Sequence, residues 1–200
     1  ATAGYDRRIV LWESRTGKPL RSFEGHNGAI YDLAFSPDGK VLVSGCADET
    51  VKVWNVSTGQ RLGTLSQPEG EVFAVDVTSD GKFILAGSAD SRLRVWALNS
   101  TDSQTINPIL VTRFIDESPL VKFRLTPDDR ILVVLSERGN VKLIDTASWD
   151  PVASIERLPH AVSDLTLASD GKELLVSLVN GEVVKRTLPV MGQPKDERKS

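Results

Sequence analysis

A single cysteine in 200 residues, Cys46, leaves no partner for an internal disulfide. It also leaves no second thiol for a Cys-x-x-Cys-His haem attachment within the chain. Cys46 sits in a run of small and apolar residues and reads as a buried small hydrophobe. There are two histidines, His26 and His160, and no spaced carboxylates around them form a metal-ligand pattern. No cofactor or metal is therefore expected. No apolar run approaches the roughly 20 residues that a membrane helix needs. Neither sign of charge dominates: 24 Lys and Arg against 27 Asp and Glu give a net charge of −3. That balance supplies no electrostatic reason to expect nucleic acid or an anionic membrane as a partner. No glycine-rich phosphate loop follows a strand and opens a helix. What remains, 40% hydrophobic and 26% charged residues, is the composition of an ordinary globular protein.

The chain does contain repetition. The turn Ser36-Pro37-Asp38-Gly39-Lys40 returns as Thr78-Ser79-Asp80-Gly81-Lys82, as Thr126-Pro127-Asp128-Asp129-Arg130 and as Ala168-Ser169-Asp170-Gly171-Lys172. Its fourth position falls at 39, 81, 129 and 171, in steps of 42, 48 and 42. Trp12, Trp54 and Trp96 are also 42 apart. A fixed period of about 40–45 residues is the size of a four-stranded propeller blade. Within one period, short apolar or alternating runs are separated by turn residues every 8–12 positions with no helical periodicity, which makes the chain all-β. In the turn, Pro37 presets φ, Asp38 tolerates the bridge region and Gly39 takes positive φ. A slip in the alternation near Tyr31-Asp32 suggests a bulge.

The strands expected in successive units lie near Ala29–Phe35, Val41–Cys46, Val51–Val56 and Gln60–Leu65, then at corresponding places to Thr187. The six extra residues of the long step fall in the polar stretch Asn99–Asn107, a surface loop. Organisation follows from the register: a partial blade over 1–23, then units of about 24–65, 66–114, 115–155 and 156–188. A polar linker or tail occupies 189–200. The opening residues Ala1 to Asp6 align with Val43 to Asp48, so the chain is expected to enter inside a repeat with strands two and three of a blade. The apolar runs 41–46, 83–87, 131–135 and 174–176 are expected to be buried on both faces.

Gly25-His26, Ser36-Pro37-Asp38-Gly39-Lys40, Asp48 and Val53-Trp54, in that order and spacing, resemble the WD-repeat family of β-propellers. The resemblance covers residues 1 to about 188. The residue after the tryptophan departs from the family's dipeptide: it is Glu13, Asn55 and Ala97 in turn, and only Asp145 keeps an acid there, after Ile144. The resemblance implies stacked four-stranded blades, commonly seven to a ring. This chain would supply about four blades and a remnant. The remaining blades would come from the same longer chain or from another copy.

Ser44, His26 and Asp48 are the residue types of a nucleophilic triad. The resemblance implies something else, a structural hydrogen-bonded tetrad of His26, Ser44, Asp48 and Trp54. The next unit keeps only part of it, Asp90 and Trp96, with Pro68 and Ala86 in the other two places, and the later units lose it. The resemblance also places Ala29, Tyr31 and Ala47 of one unit, and Glu71, Phe73 and Ala89 of the next, on the top face. Tyr31 and Phe73, 42 apart, either form a partner-binding patch there or pack inward under loops. Trp149, aligned with Gly59, is either a partner contact or a ring packed under a loop. His160 aligns with Gly28 and lies outside the tetrad.

The function expected from these readings is a non-catalytic interaction scaffold, its top face presenting loop residues to a protein or peptide. The alternative is an accessory propeller of a larger exported bacterial enzyme or c-type haem electron-transfer protein, since the blade phrases look like those of such multidomain proteins. The compartment stays open between cytoplasmic and periplasmic.

Overall fold

The computed structural model of the chain describes residues 1–189 apart from 100, 101, 103 and 156. Most of the expected tail, 190–200, lies outside the described residues, as does part of the Asn99–Asn107 stretch. Every regular element among the described residues is a β-strand. The opening sheet contains β1 (Thr2–Ala3), β2 (Ile9–Trp12) and β3 (Pro19–Phe23). The first full sheet contains β4 (Ile30–Phe35), β5 (Val41–Cys46), β6 (Val51–Asn55) and β7 (Arg61–Leu65). The second contains β8 (Val72–Val77), β9 (Phe83–Ser88), β10 (Arg92–Ala97) and β11 (Ile109–Phe114). The third contains β12 (Leu120–Leu125), β13 (Ile131–Ser136), β14 (Val141–Asp145) and β15 (Pro151–Ile155). The last contains β16 (Val162–Leu167), β17 (Glu173–Leu178) and β18 (Val183–Thr187).

Each sheet is an antiparallel meander in chain order. The fold is that of β-propeller blades: β4, β8, β12 and β16 pack one against the next. The opening sheet corrects one expectation. It carries three strands, because Pro19–Phe23 adds the outer strand to the two expected.

The repeated turn is built as its composition dictates. The Ser36 hydroxyl donates to Asp38 at 2.7 Å, and the Lys40 N–H donates to the same carboxylate oxygen. Gly39 takes φ 67°. In the third copy Asp129 takes that left-handed place at φ 54°, and its carboxylate accepts the Ser79 N–H of the neighbouring blade.

A second device repeats. Pairing slips between Ile30 and Asp32, Val72 and Ala74, Leu120 and Lys122, and Val162 and Asp164. Tyr31, Phe73, Val121 and Ser163 therefore occupy equivalent bulges at the start of the innermost strands, and a bulge re-aims its side chain.

The core lies between blades, because one sheet cannot cover both of its own faces. Ile9 and Phe23 pack on Leu42 and Trp54. Val43 and Val53 pack on Val75 and Trp96. Leu85 and Leu93 pack on Phe123 and Leu132, and Val133 and Leu143 on Leu165 and Val176. Strands β5, β9 and β13 are buried almost throughout. The run 174–176 departs from the two-face expectation: Leu175 is 36% exposed, because no described blade covers the far face of the last sheet.

Candidate functional site

Four side chains from one blade and its entry loop meet in a line. The Trp54 indole N–H donates to Ser44 Oγ at 2.9 Å, and Ser44 Oγ lies 2.7 Å from His26 Nε2. His26 Nδ1 lies 2.9 Å from Asp48 Oδ2. A carboxylate only accepts, so Nδ1 carries the proton and Nε2 accepts the Ser44 hydroxyl hydrogen. The direction of donation is thus Trp54 to Ser44 to His26 to Asp48. Burial pushes the His26 pKa below its usual value, against the pull of Asp48. Burial also works against the Asp48 carboxylate, yet hydrogen bonds from Thr50, Asn27 and His26 outweigh it and hold the group far below the usual range. A nucleophile needs access to a substrate, and Ser44 is 0% exposed beneath the indole. Cys46 is buried beside the set, and burial raises its pKa to about 11, which keeps the thiol protonated and inert. His26, Cys46 and Asp48 bring their ligand atoms within 4.8 Å of one another. Both His26 nitrogens are already engaged in hydrogen bonds, so an ion would have to displace them.

The second blade fills the missing histidine's place differently. Arg94 reaches Asp90 at 2.6 Å and Ser88 Oγ at 3.1 Å, and the Trp96 N–H donates to Gln67 at 3.2 Å. In the third blade Asp116, at the His26 position, accepts both bonds of the Asn140 amide at 2.9 and 3.2 Å. In the last, Leu158 takes that position and is buried. In the opening sheet the Trp12 N–H donates to Thr2 Oγ1 at 2.8 Å, the counterpart of Trp54 and Ser44. Arg94, Ser88, Gln67, Asp116 and Thr2 did not emerge from the sequence reading. The available signal was the repeat offset, since Thr2 and Ser44 are 42 apart.

At the loop end of the blades, Tyr31 and Phe73 lie ring to ring, centroids 5.2 Å apart and planes inclined at 44°. Both are half-buried, as are Ala29, Ala47, Glu71 and Ala89 around them. The Tyr31 hydroxyl donates to Glu71 at 3.1 Å. A third ring, Tyr5, 87% exposed, meets Tyr31 edge-on at 6.4 Å. Sequence reasoning missed it, although Tyr5, Ala47 and Ala89 share one repeat position.

Trp149 is elsewhere. It is 8% exposed and packs edge-on against Phe83 at 6.3 Å, so its ring is buried in the interblade core and is not an exposed contact. It takes φ 60°, the place that Gly17 and Gly59 hold in other units. Burial of the indole offsets the strain of that left-handed backbone. His160 is exposed.

The innermost strands also carry charge. Asp32 and Asp76 face the same region as Lys122 and Arg124. Burial raises the Asp76 pKa to about 6, with Asp32 and Asp129 adding repulsion and Arg124 and the Val77 N–H opposing it. At the opposite end a groove of about 690 Å³, floored by Ile131, Leu143 and Leu188, lies between the third and last blades.

The repeated strands, turns and tryptophans coincide with a family model. The model for the WD domain, G-beta repeat, matches residues 17–55 and 59–97. Two WD repeats are thus matched within the chain, on the first two full sheets and the end of the opening one. Among curated relatives it is 45% identical to the WD40 repeat-containing protein HOS15 of Arabidopsis thaliana over 42 residues, 21% of this chain and 7% of that protein. It is 38% identical to Coronin-7 of Mus musculus over 52 residues, 26% of this chain and 6% of that protein. It is 39% identical to the serine-threonine kinase receptor-associated protein of Gallus gallus over 49 residues, 24% of this chain and 14% of that protein. The matched part thus spans a small fraction of each relative's length. WD repeats are in general non-catalytic interaction modules, and this chain shares that architecture.

Proposed function

We propose that this WD-repeat chain is a scaffold whose loop end presents Tyr31 and Phe73, with Tyr5 beside them, to a protein or peptide partner. The observation that carries the reading is the ring row itself. Three aromatic side chains from three consecutive sheets lie in contact at one end, and two of them are aimed there by the same bulge. Aromatic residues, tyrosine above all, supply much of the binding energy at protein interfaces. Ala29, Ala47 and Ala89 keep the surroundings small, so the rings are not overshadowed. The word "associated" in the name of the Gallus gallus relative fits a module that works by docking. In this reading His26, Ser44, Asp48 and Trp54 tie the entry loop to its blade, and Asp90 with Trp96 and Arg94 does so in the next. They hold the platform rigid and perform no chemistry.

The test is quantitative capture from native lysate by the wild-type protein and by Tyr31→Ala/Phe73→Ala, with thermal melting of both. The reading expects a protein retained by the wild type and lost by the double variant, at nearly unchanged melting temperature. Equal retention by both would refute it. The alternative, an accessory propeller of an exported bacterial enzyme or haem protein, would be carried by neighbouring sequence, and no observation on these residues favours it.

A further inference from the structure

The ring row has a carboxylate at its edge with no cation to balance it. Glu71 accepts the Tyr31 hydroxyl hydrogen at 3.1 Å, and this bond turns the phenol toward the acid. Among the described residues no Lys, Arg or His lies within ion-pair distance of Glu71. The side chain is half-buried, so part of its hydration is already lost. A carboxylate in that position gains more from a cation than a fully solvated one does.

The rings add to the same preference. Tyr5 meets Tyr31 at 88° and Tyr31 meets Phe73 at 44°, so the three do not stack flat. Tyr5 is left 87% exposed. Aromatic faces carry negative charge density and attract ammonium or guanidinium groups within about 6 Å of the centroid. Rings and carboxylate together select for positive charge, whereas rings alone would take any apolar side chain.

We infer that the Tyr5, Tyr31 and Phe73 rim with Glu71 binds a basic side chain, arginine or lysine, projecting from the partner segment. This rests on the reading that the rim is a partner site. The guanidinium or ammonium lies over the rings and pairs with the Glu71 oxygen that Tyr31 leaves free.

The test uses capped pentapeptides, Gly-Gly-X-Gly-Gly, with X as arginine, lysine, norleucine or glutamate. Each is titrated into the protein while the Tyr31 and Phe73 ring protons are followed by NMR. The expected result is saturable shifts for arginine or lysine, with norleucine and glutamate at least about tenfold weaker. Glu71→Gln, which still accepts the Tyr31 hydroxyl, should weaken the basic peptide several-fold and leave norleucine unchanged. Norleucine or glutamate binding as well as the basic peptides would overturn the inference, and so would the absence of ring shifts with all four. The outcome is separable from that of the scaffold reading. If Tyr31→Ala/Phe73→Ala loses the captured protein while Glu71→Gln retains it fully, the platform stands and the basic-side-chain inference falls.

Discussion

Arg94 stands 2.6 Å from Asp90, both side chains almost wholly buried, in the blade whose loop offers Pro68 where its neighbour offers His26. The same job is done by different chemistry. In one blade a neutral imidazole bridges a serine to an aspartate. In the next a guanidinium bridges Ser88 to Asp90, and hydrogen bonds from Arg94 and Ser88 outweigh burial to bring the Asp90 pKa down to about 2. Removing one partner of a buried ion pair strands the other. Arg94→Met should therefore cost about 3–5 kcal/mol in urea denaturation. Arg94→Met with Asp90→Asn should recover most of that loss, because no charge is left uncompensated. A single variant as stable as the wild type would remove the pair from the account.

His26→Ala should lower stability by about 1–3 kcal/mol, since it takes away the acceptor of the buried Ser44 hydroxyl hydrogen and one of the hydrogen bonds to Asp48. Its pH dependence has a definite sign. The folded His26 pKa lies below the unfolded value, so its contribution is complete above about pH 6.5 and is lost as pH falls below that. The stability gap between wild type and His26→Ala should narrow on acidification from pH 7.5 to 5. A gap that widens over that range would contradict the neutral-imidazole arrangement.

Asp76 has the opposite sign. Its folded pKa, about 6, lies above the unfolded carboxyl value, so ionisation destabilises the fold. The cost is absent below about pH 4 and complete above about pH 6. Asp76→Asn should thus stabilise the protein at pH 8 by about 2–3 kcal/mol and have little effect at pH 4. Denaturation curves at the two pH values decide it. Equal effects at both would mean that the carboxylate is well solvated or well paired.

Trp149 is strained in backbone and buried in side chain. Trp149→Ala keeps the left-handed backbone and loses the ring, and should cost about 3–5 kcal/mol. Trp149→Gly loses the ring but not the conformational fit, and should be about 1 kcal/mol more stable than the alanine variant. Alanine equal to or better than glycine would remove the strain argument.

The spacing of turns and tryptophans made the blades legible, because each turn encodes its own geometry. Ser36, Asp38 and Gly39 need no tertiary help, and the bulge at Tyr31 showed as a broken alternation. The meeting of His26, Ser44, Asp48 and Trp54 followed from a family pattern, not from spacing alone. Where the pattern stops, legibility stops. Arg94, between Leu93 and Val95 in a buried strand, reads as an anomaly until Asp90 and Ser88 stand beside it. Tyr5 escaped because the opening blade was read only as two strands, although Tyr5 shares its repeat position with Ala47 and Ala89. Trp149 in a turn position read either as a partner contact or as a ring packed under a loop, and turn register does not reveal that the ring folds back onto Phe83 of the preceding blade. Asp76 gave no sign of an altered pKa, which comes from blades packed side by side.

The ring row is the centre of the account, and the affinity of an isolated partner measures it most directly. Binding of the captured protein to wild type and to Tyr31→Ala/Phe73→Ala should differ by at least about tenfold. Thermal melting of the two should nearly coincide, since the half-buried rings lie at the loop end and outside the interblade core. Equal affinity would contradict the scaffold reading, and a large fall in melting temperature with the loss of binding would make Tyr31 and Phe73 parts of the core instead of a docking surface.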